Sequence, residues 1–209
     1  MSYREFLALC RHQHGIVTSA QAHRTGVSNV ELHRMVLKGD LARLRRGVYR
    51  HEAVPLQLNE ELKAAWQSLY PEMTAEERLQ NLQFGVVRGE SAAEVLQMGD
   101  LYPSRHSFFV PPGKKANAAD IELKRSPLSP EDVTVVDGLP VTTPTRTVID
   151  LLEELHEPDH IAEAIRDAAD RGLSVDTDAV RRALPRYCRR TGLAPDEADI
   201  AVLSPALSP

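Results

Sequence analysis

Cysteine is scarce in this chain: Cys10 and Cys188 are its two thiols. They are too few and too far apart for a disulfide framework or a zinc site, so a reducing cytoplasm is the expected setting. No run of eighteen apolar residues exists, which excludes a transmembrane helix and argues against a membrane partner. The opening MSYREFLALCRHQH has no long apolar core behind a basic start, so no secretory signal is expected. His12 and His14 stand without a third ligand or a Cys pair, and no metal site is expected there. A catalytic triad and a glycine-rich phosphate loop are missing from any suitable context, and no internal repeat is visible. The expectation is therefore no catalysis, no cofactor and no metal.

What is present is an uneven distribution of charge. Residues 1–51 carry 9 Lys and Arg against 3 Asp and Glu, whereas residues 52–209 carry 16 against 27. A basic head on an acidic body suggests two parts, and a chain of 209 residues with 42% hydrophobic content can form two small cores. A basic block attracts phosphate, and such binding weakens steeply with salt.

The head has a readable order. Tyr3 to Gln13 places Phe6, Leu7 and Cys10 on one helical face. Thr18 or Ser19 can cap a short helix that Gly26 ends, and Ser28 can cap a second helix that Gly39 closes. Leu41 to Leu44 and Val48 to Arg50 read as strands around Arg45-Arg46-Gly47, a small basic hairpin. Two helices joined by a short turn and followed by a hairpin predict a winged helix-turn-helix, whose usual work is holding duplex DNA. On the second helix Leu32, Met35 and Val36 should pack inward, leaving Asn29, Val30, His33 and Arg34 outward. The first residues of such a recognition helix meet base edges, where Asn suits adenine and Arg suits guanine. Ser and Thr mostly hold phosphate, which brings in Thr18, Ser19 and Ser28, with Lys38 as a further cation. Arg43, Arg45 and Arg46 on the wing are read as backbone contacts; Tyr49 is either a backbone contact or core.

Residues 52–58, with Pro55, read as a linker, and residues 59–192 as the second domain. Asn59 is expected to cap a helix whose Leu62, Ala65, Trp66 and Leu69 share one side, the lone Trp being packing. Thr74-Ala75-Glu76-Glu77 is a capping box opening a helix to about Gln83. Short strands are expected at 84–88, 107–110 and 121–125, and a short helix at 91–98. Asp137-Gly138 between β-branched runs signals a hairpin, because both turn positions need positive φ. Thr143 and Pro144 then open a helix on which Arg146 and Asp150 stand four apart and can pair. Helices at 161–171 and 178–190 follow, the latter interrupted by Pro185; residues 193–209 read as a flexible tail or docking arm. The whole is α+β: a winged helix-turn-helix followed by a mixed α/β domain.

The segments GIVTSAQAHRTGVS, GDLARLRRGVYR, ESAAEVLQMGDL and above all VTVVDGLPVTTPTRTVIDLL resemble AbiEi-type antitoxins of two-gene toxin–antitoxin systems, some of which serve phage defence. The resemblance implies a winged helix that represses its own operon at promoter inverted repeats. It also implies a second domain that neutralises a nucleotidyltransferase-like toxin, by blocking it, modifying it or protecting its target. Thr143, Arg146, Thr147 and Asp150 match the second-domain signature, which has both a structural explanation and a toxin-facing one. The acidic body would suit a basic partner surface.

Two other classes compete. One is a stand-alone winged-helix regulator with a ligand-sensing or dimerising body, whose neighbouring gene would be harmless. The other is a metal-dependent nuclease, since Asp120, Glu122 and Lys124 alternate on a strand and share one face. Alternating charges are also what any half-exposed strand shows.

Overall fold

The computed structural model describes residues 3–115, 118–126 and 128–203 and divides into two compact units, residues 1–84 and 85–209. The first unit opens with α1 (Tyr3–His12), β1 (Ile16–Thr18), α2 (Ser19–Arg24) and α3 (Asn29–Lys38). It continues through β2 (Leu41–Arg45), β3 (Val48–His51), α4 (Glu60–Leu69) and α5 (Ala75–Leu79). Reciprocal caps set both helices of the central motif. Thr18 Oγ1 accepts from the Gln21 N–H while Gln21 Oε1 accepts from the Thr18 N–H. Ser28 and Glu31 repeat the arrangement, and Gly39 closes α3 in the left-handed region at φ 79°.

The three strands form an antiparallel sheet in the order β1-β3-β2. Strand β1 is an addition to the expected elements, being too short to show a two-residue period. Phe6, Cys10, Val17, Ala22, Val27, Leu32, Met35 and Leu41 form the core, with Val36 and Tyr49 packed against it. Tyr49 is thus part of the packing. Burying each of the larger of these side chains contributes about 1.5–3 kcal/mol. The element order is that of a winged helix-turn-helix.

The first unit extends past residues 52–58, where a linker was expected, because α4, α5 and the loop between them are tied to it by buried polar groups. Thr18 Oγ1 donates to the Pro71 carbonyl at 2.5 Å, and Gln21 Nε2 donates to the Met73 carbonyl at 2.6 Å. Gln13 Oε1 accepts from the Ala75 N–H at 2.8 Å. Arg50 is buried against Glu52 and Glu60, each at 3.0 Å. Arg78 is wholly buried, its guanidinium 3.6 Å from the Trp66 ring centre and bonded to the carbonyls of Trp66 and Phe84. Asn59 occupies the position before α4 with φ 56° and makes no side-chain cap, and α5 ends at Leu79 rather than near Gln83. The added segment is acidic, so residues 1–84 hold 11 Lys and Arg against 9 Asp and Glu.

The second unit comprises β4 (Val86–Val87), α6 (Gly89–Leu96), β5 (His106–Phe109), β6 (Ile121–Lys124), β7 (Val133–Val136), β8 (Leu139–Thr142) and α7 (Pro144–Glu154). It ends with α8 (Pro158–Asp170), α9 (Thr177–Thr191) and α10 (Pro195–Leu203). Its five strands are ordered β6-β5-β4-β8-β7, with β5–β6 and β4–β8 parallel and the other neighbours antiparallel. The β7–β8 turn places Asp137 at φ 50° and Gly138 at φ 76°, as a two-residue hairpin requires.

Two expectations fail here. The expected interruption at Pro185 is absent: the residue lies inside α9, which runs on to its Gly192 cap, and buried Leu184, Tyr187 and Cys188 hold the helix together across the lost hydrogen bond. The expected flexible tail is a helix over Pro195–Leu203, with Ala198, Val202 and Leu203 buried and α8 and α9 as its neighbours. Residues 204–209 lie outside the described residues.

Arg78 carries a prediction. Arg78→Ala removes a buried cation from two carbonyls and a ring, and denaturant unfolding of the full chain should show the first unit weakened by about 3 kcal/mol. A loss below about 1 kcal/mol would mean that α4 and α5 are held by apolar packing alone.

Candidate nucleic-acid interface and the buried clasp

The capping of α3 by Ser28 and the burial of Leu32 and Met35 settle which side of the helix faces solvent. Asn29, His33, Arg34 and Lys38 are all exposed, as are the apolar Val30 at 60% and Leu37 at 74%. Val30, His33, Arg34 and Leu37 follow the i, i+3, i+4, i+7 pattern of a single face. Asn29 Oδ1 lies 3.0 Å from His23 Nε2, so α2 already orients this amide. Ser28 is spent on capping: its hydroxyl donates to Glu31 Oε2 at 2.6 Å and accepts from the Glu31 N–H at 3.3 Å. Those bonds from Ser28 hold the Glu31 carboxyl below its ordinary range. Glu31 therefore stays ionised beside the cations of α3, a negative charge within an otherwise basic helix.

Thr18 departs from its expected role. It is fully buried and its hydroxyl is committed to Gln21 and Pro71, so it cannot reach a phosphate. Ser19 is half-buried, and its N–H donates to the Gly47 carbonyl at 2.9 Å, bringing the start of α2 against the wing turn. Gly47 turns at φ 74° and the β2–β3 register shifts between Arg43 and Arg45. A bulge of this kind re-aims the side chains around it. Arg43 and Arg46 are exposed, while Arg45 is half-buried. Arg50, next along the hairpin, is a structural cation.

The signature residues of α7 lie in the second unit and form a clasp. Thr143 caps the helix, accepting from the Arg146 N–H at 3.4 Å. Thr147 is buried with its hydroxyl 2.8 Å from that of Thr142 on β8. Asp150 is fully buried and takes the Arg146 Nε and Nη2 at 3.0 and 2.9 Å. Arg88, at the start of α6, reaches Asp150 at 3.5 Å and pairs with Glu154. Both guanidinium groups also lie on Phe109, at 4.7 and 5.1 Å from its ring centre. Burial pushes the Asp150 carboxyl up to about 6, against the pull of Arg88 and Arg146. Arg88 had no signal in the sequence, since nothing there relates position 88 to position 150.

Asp120, Glu122 and Lys124 lie on or beside β6 and are exposed. Glu122 pairs with Arg105 at 2.8 Å and Lys124 with Glu153 at 3.8 Å. Among the described residues no group of three or more His, Cys, Asp or Glu is placed to hold a metal ion. Cys10 is buried, and that burial pushes its thiol up to about 12. No described helix is long and apolar enough to cross a membrane.

Residues 5–50, from α1 into β3, match the family model described as transcriptional regulator, AbiEi antitoxin. A comparison with curated proteins returns no match. Among solved structures, the chain is similar to the RV2827C protein from Mycobacterium tuberculosis, with a TM-score of 0.46 and 19% identity. That likeness covers 99% of this chain and 81% of the other.

The clasp makes a pH prediction. The folded state holds a proton on Asp150 more firmly than the unfolded chain, whose carboxyl titrates at its ordinary 3.8. This contribution therefore strengthens the fold as pH falls from about 7 toward 4 and weakens it as pH rises through 6. Stability curves of wild type and Asp150→Asn should diverge in that window, the variant being flatter. Parallel curves would show that Asp150 stays ionised throughout, held by its two arginines.

Proposed function

We propose that this protein is a DNA-binding regulator and antitoxin: its first unit grips duplex DNA with α3 and the β2–β3 wing and represses its own operon at inverted repeats. The observation that carries this reading is the outward face of α3, where Asn29, His33, Arg34 and Lys38 are exposed on a helix anchored by Leu32 and Met35. The match of residues 5–50 to the AbiEi regulator family supports it. In the proposed complex the N-terminal turn of α3 enters the major groove, with Asn29 and Arg34 at base edges. Val30, apolar and exposed beside them, suits a thymine methyl. Lys38, Arg43, Arg45 and Arg46, with Ser19 beside the wing turn, meet phosphates.

The second unit is proposed to neutralise a partner toxin of nucleotidyltransferase type, acting in the cytoplasm and without catalysis of its own. The geometry of Thr143, Arg146, Thr147 and Asp150 supports a structural part for these residues rather than a toxin-facing one, because Thr147 and Asp150 are fully buried.

Substitution of Arg43 and Arg46 by Ala should weaken binding to all duplexes alike and flatten the salt dependence by roughly one unit for each phosphate no longer neutralised. An unchanged slope would remove the wing from the footprint. Asn29→Ala should instead relax preference at one base position, at a cost of about 1–3 kcal/mol. A uniform loss across sequences would reduce Asn29 to a backbone contact. For the antitoxin part, the neighbouring open reading frame is induced alone and together with the full chain under a foreign promoter. Growth arrest relieved by the chain is the expected result; a harmless neighbour would leave a stand-alone regulator.

A further inference from the structure

The acidic balance of the second unit conceals a basic helix. Residues 85–209 carry 14 Lys and Arg against 21 Asp and Glu. Five of those cations, Arg181, Arg182, Arg186, Arg189 and Arg190, stand on α9, with Asp178 as its one acid. Arg182, Arg186 and Arg190 recur every four residues, so they rise in steps of about 6 Å along one side of the helix. Arg182 and Arg186 keep 70% and 64% of their side-chain surface exposed.

These arginines rim a groove of about 210 Å³ between α7 and α9, floored by Ile149, Leu152, Ala183 and Tyr187. One carboxylate faces it. Glu153 lies 3.4 Å from Arg186 and 3.8 Å from Lys124, and Arg190 bonds its carbonyl at 2.8 Å. Asp176 reaches Arg182 only at 3.8 Å. The groove thus holds an excess of positive charge over an apolar floor, on a unit that is acidic in sum.

We propose that this groove is the docking site for an acidic segment of the partner protein, a large apolar side chain seated on the floor and carboxylates taken by Arg182, Arg186 and Arg190. The inference rests on the antitoxin reading and narrows it: the contact is direct, and the partner's face is acidic where the net charge of this unit alone suggests a basic one. Arg at the rim of an apolar depression is the composition of protein interfaces. A nucleic-acid strand is the poorer fit. Single strands need exposed rings for stacking, whereas Tyr187 is buried and its hydroxyl donates to the His156 carbonyl at 2.8 Å. A long polyanion would also lie along the acidic remainder of the unit and be repelled by it.

The test uses the full chain and the purified product of the neighbouring open reading frame. Arg182→Glu with Arg186→Glu should weaken their complex by about tenfold or more at physiological salt, and Ala183→Glu, which places a like charge on the floor, should do the same. A charge-matched control, Lys115→Glu with Arg166→Glu, should bind like wild type, and all variants should melt like wild type. Wild-type affinity in either groove variant would overturn the docking site while leaving the antitoxin reading standing. No complex with the wild-type chain would overturn direct contact itself. Weaker binding of the groove variants to a duplex or single-stranded oligonucleotide, with partner binding intact, would overturn the proposal in favour of a phosphate contact.

Discussion

The first unit depends on two buried amides. Gln21 Oε1 accepts from the Thr18 N–H and from Gln13 Nε2, while Gln21 Nε2 donates to the Met73 carbonyl. Gln13 Oε1 takes the Ala75 N–H in the same network. These polar atoms are out of water, so each must be paired or the fold loses the cost of desolvating it. The start of α2, the end of α1 and the segment around α5 are therefore fixed together. Through the turn to α3, this fixes the helix whose outer face the functional reading rests on.

That network also explains what was legible in the sequence and what was not. Local signals are legible because their physics spans three or four residues: Ser28 and Gly39 around α3, Asp137-Gly138 in the hairpin, Thr143-Pro144 at the start of α7. Long-range polar ties have no such signal. Nothing near Gln21 announces Met73, and nothing near Asp150 announces Arg88. Composition points to a linker at 52–58, but it does not register that α4 packs on the sheet of the first unit. At Pro185 and in the residues after Gly192, burial overrides the local rules. On the candidate interface, the outward residues of α3 followed from helical period, whereas the commitment of Thr18 to a buried hydrogen bond did not.

Charge behaves alike in the two units: a sum over many residues hides the surface that matters. The first unit is close to neutral, yet Arg34 and Lys38 of α3 and Arg43 and Arg46 of the wing stand exposed while its α4 and α5 acids lie elsewhere in the sequence. The second unit is acidic overall, yet five of its arginines share α9. Buried charge serves another purpose. Buried Arg88 and Asp150, with half-buried Arg146 and the more exposed Glu154, join α6 to α7, and breaking the buried pair costs more than forming it gains.

If α3 and the wing hold a particular duplex, titrating the full chain against the DNA upstream of its own gene and against a shuffled duplex, across a range of salt, will distinguish the two. The upstream DNA should bind more tightly, with affinity for both duplexes falling steeply as salt rises. Equal affinity for the two duplexes, or binding indifferent to salt, would contradict that reading.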